Sequence, residues 1–288
     1  MRIPSNQYHS VMKFAVEELK ELYPLDEIKA MMYWLFEAYL RVDKTQYLLN
    51  IKKGMSESVL LKFNFAIKDL KKGKPVQYII GHSYFHGLKI LVNEFTLIPR
   101  PETEELVQWV LEEVNHQKHP LKILDMCTGT GCIPLALADK MPGNQYWGAD
   151  FKKEILDLAK TNAKLNQMKV DFFQFDLLKD DFKKHQEFDI IISNPPYVLE
   201  SDKQHMHKNV LDFEPDSALF VNDNSALVFY ERILDYAELN LKKSGRVYFE
   251  IHESKSEHIK SLFTNRNYSN IKFRNDFRGK IRFVRAEK

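Results

Sequence analysis

The segment "KILDMCTGTGCIPLALA", Lys122–Ala138, decides the fold of this 288-residue chain. Its aliphatic start predicts a strand, and its apolar end predicts a helix. Between them, Gly129 and Gly131 predict a tight turn whose backbone can approach a ligand closely. Pro134 stands where the dinucleotide fingerprint G-x-G-x-x-G has its third glycine, so a pyrophosphate site is disfavoured. Taken alone, the segment is equally compatible with a turn that binds no ligand.

Apolar runs and helical segments alternate from Lys122 towards the C-terminus. The expected strands are "KILDM", "YWGAD", "VDFFQFD", "FDIIISN" and "RVYFEI", and the expected helices lie near 133–140, 153–166, 225–242 and 254–264. This alternation predicts an α/β fold with a doubly wound, mostly parallel sheet. The tail "IKFRNDFRGKIRFVRA" has two strand-like runs around Arg278-Gly279, which predict an antiparallel hairpin at the sheet edge.

The chain upstream of this region has a different character. Residues 1–75 have a helical pattern, with Asp26 as the expected cap of one helix, and we expect a small helical bundle. This part has 13 Lys and Arg against 9 Asp and Glu, which fits either a solvated surface or one that docks a partner. Within residues 76–98, aromatic and β-branched runs lie on either side of a His86-Gly87 turn. We therefore expect a β-hairpin linker over 76–98 and a separate domain over 99–288.

Composition and charge exclude several classes of protein. The formal net charge of +2 argues against a protein that coats nucleic acid nonspecifically. No apolar run is long enough to predict a membrane span or a signal peptide. Cys127 and Cys132 are five residues apart, and His205 and His207 lack cysteine partners, so no metal site is expected. Free cysteines are typical of a reducing compartment, and we expect a cytoplasmic protein.

Residues at the ends of the second and third expected strands suggest an adenosine-bearing cofactor. Asp150 ends the second expected strand about twenty residues beyond the glycine turn, where a carboxylate can accept hydrogen bonds from a ribose diol. The third expected strand ends in "QFDLL", which places Asp176 and Leu177 where they can flank an adenine ring. Asp150 can also cap the helix expected near Lys153, and this capping role is compatible with ribose binding.

The fourth expected strand ends in "NPPY", which proline prevents from continuing as a strand. Asn194 offers a side-chain carbonyl and Pro195 a backbone carbonyl, so together they can accept both hydrogens of a planar NH₂ group. Tyr197 supplies a flat ring that can stack on an amide or a base. A simple strand terminator is the plainer alternative.

This arrangement suits methyl transfer to a planar nitrogen. An amide nitrogen is a poor nucleophile because its lone pair is delocalised into the carbonyl. Accepting both of its hydrogens favours pyramidalisation and directs the lone pair towards a methyl donor. No strong base is needed before attack, so positioning and electrostatics provide most of the rate enhancement.

The motifs "DMCTGTG", "GAD" and "NPPY" resemble the class I S-adenosylmethionine-dependent methyltransferases that act on planar nitrogens. The more selective blocks "PVQYIIG" and "TLIPRPETE" resemble the release factor glutamine methyltransferase family, known as HemK or PrmC, and the resemblance covers nearly the whole chain. It implies N5-methylation of the glutamine in the Gly-Gly-Gln motif of peptide chain release factors. It also implies a Rossmann-like catalytic domain behind a helical N-terminal domain that docks the substrate.

The resemblance also implies roles for individual residues. The cofactor S-adenosylmethionine would contact Cys127, Thr128, Gly129, Thr130, Gly131, Asp150, Leu177 and Asn194. The substrate glutamine would contact Asn194, Pro195, Pro196 and Tyr197, of which Asn194, Pro195 and Tyr197 carry the chemistry. Arg100 would form part of the active-site wall, although a structural ion pair fits that residue equally well. We expect a monomer whose partner is a release factor, with no metal, no membrane and no required nucleic acid.

The chain departs from the family pattern in three places. Cys127 replaces the first glycine of the loop, "EPDSALFVNDNSALVFY" lacks the usual glycine-rich stretch and "DGL", and "FEIHESKSE" replaces "EIG" with its following glutamine. Three other functions remain as alternatives. They are methylation of a ribosomal-protein glutamine, methylation of adenine or guanine in nucleic acid, and a noncatalytic binding module.

Overall fold

The computed structural model describes residues 3–114, 119–184 and 186–288. The chain divides into two compact units. One contains the chain through Gly81 together with His207–Phe213, and the other contains His82–Met206 and Glu214–Lys288. In the part of the chain that the structure describes, no helix is both long and apolar enough to span a membrane.

The first unit is helical. Its helices are α1 (Tyr8–Leu19), α2 (Leu25–Leu40), α3 (Lys44–Leu49), α4 (Glu57–Lys71), α5 (Val76–Ile80) and, from the later segment, α9 (Lys208–Phe213). Apolar side chains of α1, α2 and α4 form its core, including Val11, Leu35 and Phe63, which are fully buried. The expected cap at Asp26 is wrong, because Pro24 occupies the N-cap position and Asp26 lies in the first turn of α2. A carboxylate in that turn still favours the helix through its macrodipole.

The hairpin expected around His86-Gly87 forms at the start of the second unit. Strands β1 (His82–Phe85) and β2 (Leu88–Leu91) pair antiparallel across two residues with positive φ, +48° at His86 and +83° at Gly87. This conformation is the two-residue turn that suits the twist of paired strands. The "VQYII" run before it is helix α5 and not strand, because Pro75 occupies the N-cap position and left-handed Gly81 ends the helix.

A seven-stranded sheet organises the second unit. Its strands are β3 (Lys122–Met126), β4 (Gln145–Asp150), β5 (Asp171–Gln174), β6 (Phe188–Ser193), β9 (Leu241–Glu250), β10 (Ser269–Asn275) and β11 (Ile281–Glu287). Their spatial order is β10-β11-β9-β6-β3-β4-β5, and the five strands from β9 to β5 are mutually parallel. β11 pairs antiparallel with β9 and with β10, so the C-terminal hairpin forms the expected edge. The strand order reverses between β3 and β6, where ligands of doubly wound sheets bind.

Helices cover both faces of this sheet. They are α6 (Pro101–Val114), α7 (Cys132–Lys140), α8 (Lys153–Leu165), α11 (Val228–Asn240) and α12 (Ser256–Asn265). Apolar residues of α6, α7 and the hairpin pack with one face, and those of α11 and α12 pack with the other. A short parallel ladder joins β7 (Val198–Leu199) to β8 (Phe220–Val221), and the four-residue helix α10 (Asp216–Leu219) precedes β8. These three elements lie beside the carboxyl ends of β3 and β6.

Candidate active site

A cavity of about 470 Å³ lies beside the carboxyl ends of the parallel strands, within the size range of small-molecule sites. Ten of the residues predicted from the sequence line it: Arg100, Cys127, Thr128, Gly129, Thr130, Asp150, Asp176, Leu177, Asn194 and Pro196. Gly131, Pro195 and Tyr197 lie outside this lining. The structure therefore gathers residues from five separate stretches of sequence at one opening.

The glycine turn after β3 takes an unusual backbone path. Three of its residues have positive φ: Cys127 at +60°, Gly129 at +53° and Gly131 at +78°. A Cβ on Gly129 would meet no atom within 4 Å, whereas one on Gly131 would lie 3.1 Å from the Phe172 ring. Gly129 therefore leaves room on the cavity side, while Gly131 allows close packing behind the turn. Cys127 holds the left-handed conformation with a side chain, at a cost of about 1–2 kcal/mol.

Hydrogen bonds hold this turn from both sides. The Thr128 hydroxyl donates to buried Asp125 at 2.6 Å, and the Gly131 N–H donates to the Thr128 carbonyl at 2.9 Å. Asn162 of α8 is fully buried, and its amide donates to the Thr130 carbonyl at 2.9 Å. The same side chain bonds both backbone groups of Leu91, so it joins the hairpin to the turn.

Asp150 ends β4 next to the turn. Its Oδ2 accepts the Gly129 N–H and its Oδ1 accepts the Phe151 N–H, each at 2.9 Å. Burial raises the pKa of Asp150 to about 6, while these two N–H donors and Lys152 act to lower it. Each carboxylate oxygen has two lone pairs, so each retains one for a ligand hydroxyl. The N-cap of α8 is Lys152, so Asp150 does not cap that helix.

Leu177 lies in the loop after β5 and contributes an apolar surface. Arg232 of α11 fixes this loop by donating from Nε to the Leu177 carbonyl at 2.6 Å. Further apolar residues on the cavity wall, among them Phe151, Ile155 and Phe175, were not predicted from the sequence. Phe151 had an available signal, because it directly follows the strand-end Asp150. The cavity thus combines the carboxyl groups of Asp150 and Asp176 with an apolar surface suited to a heterocyclic ring.

The "NPPY" segment follows β6 and is held by buried hydrogen bonds. The Ser193 hydroxyl donates to the Met126 carbonyl at 2.5 Å, which ties the end of β6 to β3. Asn194 lines the cavity, and its Nδ2 donates to the Thr103 hydroxyl oxygen at 3.0 Å. Tyr197 donates its hydroxyl to Glu250 at 2.9 Å, and its ring packs edge-on against His252. Neither Thr103 nor Glu250 was predicted as a site residue.

Arg100 has both of the roles expected from the sequence, as part of the cavity wall and as a member of an ion pair. It lines the cavity, and its guanidinium contacts buried Glu214 at 2.5 Å. Glu214 also accepts the Ile98 N–H at 3.2 Å, so one carboxylate holds the segment before α6. This ion pair joins the cavity wall at 95–100 to Glu214, three residues before the wall at 217–229.

Both cysteines are free thiols, and neither has the environment of a nucleophile. Burial raises the pKa of Cys127 well above its usual range, and the nearby carboxyl groups of Asp150 and Asp125 raise it further. Burial raises the pKa of Cys132 to about 12. Among the described residues, no group of three or more His, Cys, Asp or Glu is arranged to hold a metal ion.

Comparison with known proteins identifies the family. The "methyltransferase small domain" model matches residues 107–244, and the "PrmC N-terminal domain" model matches residues 10–81. The release factor glutamine methyltransferase of Flavobacterium psychrophilum is 38% identical over 274 residues, which are 94% of this chain and 95% of that protein. That of Bacteroides thetaiotaomicron is 33% identical over 94% of this chain and 97% of its own length. The chain belongs to the release factor glutamine methyltransferase family.

The fold agrees with this family. A methyltransferase from Pyrococcus furiosus superposes with a TM-score of 0.52 over 70% of this chain and 89% of its own, at 19% sequence identity. At that identity the likeness concerns the fold alone, and it confirms the predicted class I methyltransferase architecture. The helical N-terminal region and the predicted methyltransferase region both have their counterparts in the family models.

The cavity residues fit the S-adenosylmethionine that the methyltransferase fold implies. Asp150 retains acceptor capacity for a ribose diol, and Gly129 leaves space beside the backbone of the turn. Of the departures from the family pattern, Cys127 lies in the glycine turn and lines the cavity. Val221, Ser225 and Phe229 of the altered "EPDSALFVNDNSALVFY" segment line the cavity. His252, which stands in place of the family glycine, packs on Tyr197.

Proposed function

We propose that this chain transfers a methyl group from S-adenosylmethionine to the side-chain amide nitrogen of the glutamine in the Gly-Gly-Gln motif of peptide chain release factors. The observation that carries the proposal is the position of Asn194, which stands at the end of β6 at the sheet's switch point and lines the cavity. Family membership gives the substrate class, since curated relatives are named release factor glutamine methyltransferases.

Several groups of the cavity would hold the cofactor. Asp150 would accept the ribose hydroxyls, Leu177 with Phe151 and Phe175 would flank the adenine, and the turn from Cys127 to Gly131 would surround the methionine part. When bound, S-adenosylmethionine supplies a methyl group on a positively charged sulfur, which makes it electrophilic. The mostly apolar lining would disfavour water beside the reacting atoms, so a weak nucleophile would face less competition.

The chain's own contribution to the reaction is placement of the glutamine amide. Asn194 Oδ1 and the Pro195 carbonyl would accept the two amide hydrogens, so the nitrogen's lone pair is directed away from them. Pro195 and Pro196 fix φ, which restricts the backbone that carries the Pro195 carbonyl. The amide proton is lost during or after transfer, and no residue has to act as a strong base beforehand. Tyr197 would support the amide through its ring.

We also propose that the helical N-terminal unit docks the body of the release factor. Large apolar side chains are exposed on it, including Leu49 at 79%, Leu48 at 57% and Phe65 at 56%. Exposed apolar groups beside an excess of basic residues suit an acidic or amphipathic protein surface. The expectation of a cytoplasmic monomer that needs no nucleic acid stays a prediction.

Mass spectrometry of a purified release factor tests the proposed function. The factor is incubated with the enzyme and S-adenosylmethionine, and we expect a single added methyl on the Gly-Gly-Gln peptide, located by fragmentation to the glutamine side chain. Asn194→Ala should abolish the product while leaving the fold intact. Asn265→Ala is the matched control, because Asn265 is exposed at the end of α12.

Two substrate controls separate the alternatives. A release factor whose Gly-Gly-Gln glutamine is replaced by alanine should accept no methyl. Ribosomal proteins and ribosomal RNA, incubated in parallel, should stay unmethylated. Methyl transfer to either of these and not to the release factor would overturn the proposal.

A further inference from the structure

A chain of buried hydrogen bonds connects the two polar residues of "NPPY" to one carboxylate. Glu250 Oε2 accepts the Thr103 hydroxyl at 2.7 Å, and Glu250 Oε1 accepts the Tyr197 hydroxyl at 2.9 Å. Thr103 in turn accepts a hydrogen from Asn194 Nδ2 at 3.0 Å. Thr103 and Glu250 are 4% and 2% exposed, so water does not compete for these bonds.

The direction of these bonds follows from the chemistry of the groups. An ionised carboxylate can only accept, so both hydroxyls must donate to Glu250. Once the Thr103 hydrogen is committed, its oxygen is left to accept, and only the NH₂ end of the Asn194 amide can meet it. The Asn194 carbonyl, Oδ1, is then the end that remains for a ligand in the cavity. Glu250 therefore sets the orientation of an amide it does not touch.

The surrounding contacts support an anchored Glu250. Burial raises the pKa of Glu250, and the hydroxyl donors Thr103 and Tyr197 together with the Arg282 guanidinium oppose that rise. The Glu250 carbonyl also accepts the Tyr230 hydroxyl at 3.0 Å. Ser193, the last residue of β6, pairs with Phe249 of β9. Asn194 and Glu250 directly follow these two residues, so they lie side by side at the ends of neighbouring strands.

We propose that Thr103 and Glu250 are positioning residues for methyl transfer, which fix the Asn194 amide with its carbonyl towards the substrate and hold Tyr197 beside it. This inference rests on the proposed function, in which Asn194 Oδ1 accepts a hydrogen from the substrate amide. Both positioning residues would act on the substrate nitrogen through Asn194 or Tyr197. If the Asn194 amide were flipped, its NH₂ group would face the NH₂ group of the substrate glutamine. The substrate nitrogen would then lose one of its two hydrogen-bond acceptors.

Two isosteric variants break the chain of hydrogen bonds at different points. Thr103→Val removes the hydroxyl but keeps the shape, and Glu250→Gln lets the side-chain amide donate to Thr103, which reverses the bond direction towards Asn194. We expect kcat on the release factor to fall at least tenfold in both, a loss typical of a misoriented hydrogen-bonding group. The affinity for S-adenosylhomocysteine should stay within twofold of wild type, since Asp150 and the glycine turn are unchanged.

Conservative and remote variants separate positioning from general destabilisation. Thr103→Ser keeps the hydroxyl and should restore kcat to within about threefold of wild type. Thr264→Val is the control for Thr103, because Thr264 is exposed and its hydroxyl bonds to the Lys260 carbonyl of its own helix. Glu257→Gln, at an exposed position of α12, is the control for Glu250. Wild-type kcat in Thr103→Val would overturn the inference, and so would failure of Thr103→Ser to recover activity while folded.

A readout without turnover keeps this test separate from the proposed function. The Asn194 side-chain NH₂ signals are assigned in ¹⁵N spectra by their loss in Asn194→Ala, and their hydrogen exchange with solvent is measured. We expect slow exchange in wild type and Thr103→Ser, and at least tenfold faster exchange in Thr103→Val. Unchanged exchange would refute the orientation of Asn194 by Thr103. Absence of methyl transfer by wild type, with the exchange pattern as expected, would refute only the proposed substrate.

Discussion

Cofactor affinity should depend on the protonation of Asp150. The pKa of this carboxyl is raised to about 6 by burial, against an ordinary value of 3.8. Two ribose hydroxyls donate best to the ionised form, so binding should require the charged carboxylate. The apparent dissociation constant is then multiplied by one plus the ratio of protonated to ionised Asp150. With a pKa of about 6, this factor is roughly 11 at pH 5 and roughly 1.1 at pH 7, a loss of about tenfold in affinity.

The sign of this effect differs between binding and stability. Affinity for the cofactor rises with pH, because the ligand favours the ionised carboxylate. The free energy of unfolding of the ligand-free protein should receive the opposite contribution, since a carboxyl whose pKa is higher in the folded state binds more protons there. That contribution of Asp150 falls as the pH rises from about 4 to about 6. The two trends together distinguish a ligand-specific effect from acid unfolding.

Isothermal titration calorimetry with S-adenosylhomocysteine from pH 5 to pH 7 measures this dependence. Asp150→Asn should bind weakly at every pH and show no slope, because its side chain does not ionise. Asp157→Asn, at an exposed position on α8, is the matched control and should retain the wild-type slope. Among the described residues that line the cavity there is no histidine, so no imidazole there supplies the same slope. A constant wild-type affinity, or an equal slope in Asp150→Asn, would refute the assignment.

Three further changes have expected outcomes. Gly148→Ala should lower the free energy of unfolding by about 1–3 kcal/mol, because the added Cβ would lie 2.7 Å from the Phe172 ring and 2.8 Å from Thr128 Oγ1. Urea denaturation measures this change, and an unchanged midpoint would contradict the packing. Cys127→Gly should raise the free energy of unfolding by up to about 1 kcal/mol, since glycine adopts φ of +60° without a Cβ penalty, and a lower thermal midpoint would disprove this account. Leu49→Lys should reduce kcat/KM severalfold on the intact release factor and not on a short Gly-Gly-Gln peptide; equal losses on both would argue against docking through the N-terminal unit.

The parallel sheet was predictable because its strands are continuous apolar runs bounded by turn residues. The same runs located Asp150 and Asn194, since each directly ends a strand and such ends meet at one edge of the sheet. Local sequence was less decisive where two signals competed. The β-branched run in "VQYII" favours a strand, yet Pro75 and Gly81 bound it as a helix.

The partners of the site residues were less accessible from sequence. Apart from Arg100, the predicted site residue nearest to Thr103 in sequence is Cys127, 24 positions later (127 − 103). The contact of Thr103 with Asn194 depends on how α6 packs on the sheet. Glu250 became identifiable only once β9 was placed beside β6, because the order of strands is a tertiary property. A strand-end carboxylate next to the strand that carries "NPPY" is nevertheless a signal that topology prediction supplies.

The state of the two native thiols has a practical consequence for labelling this protein. Alkylating reagents react with thiolates, and the raised pKa values of Cys127 and Cys132 keep both in the protonated form at neutral pH. A cysteine introduced at an exposed position should therefore react with a maleimide dye far faster than either native residue. Fluorescence reporters can then be attached to the helical N-terminal unit of the otherwise unaltered chain to follow its encounter with a release factor.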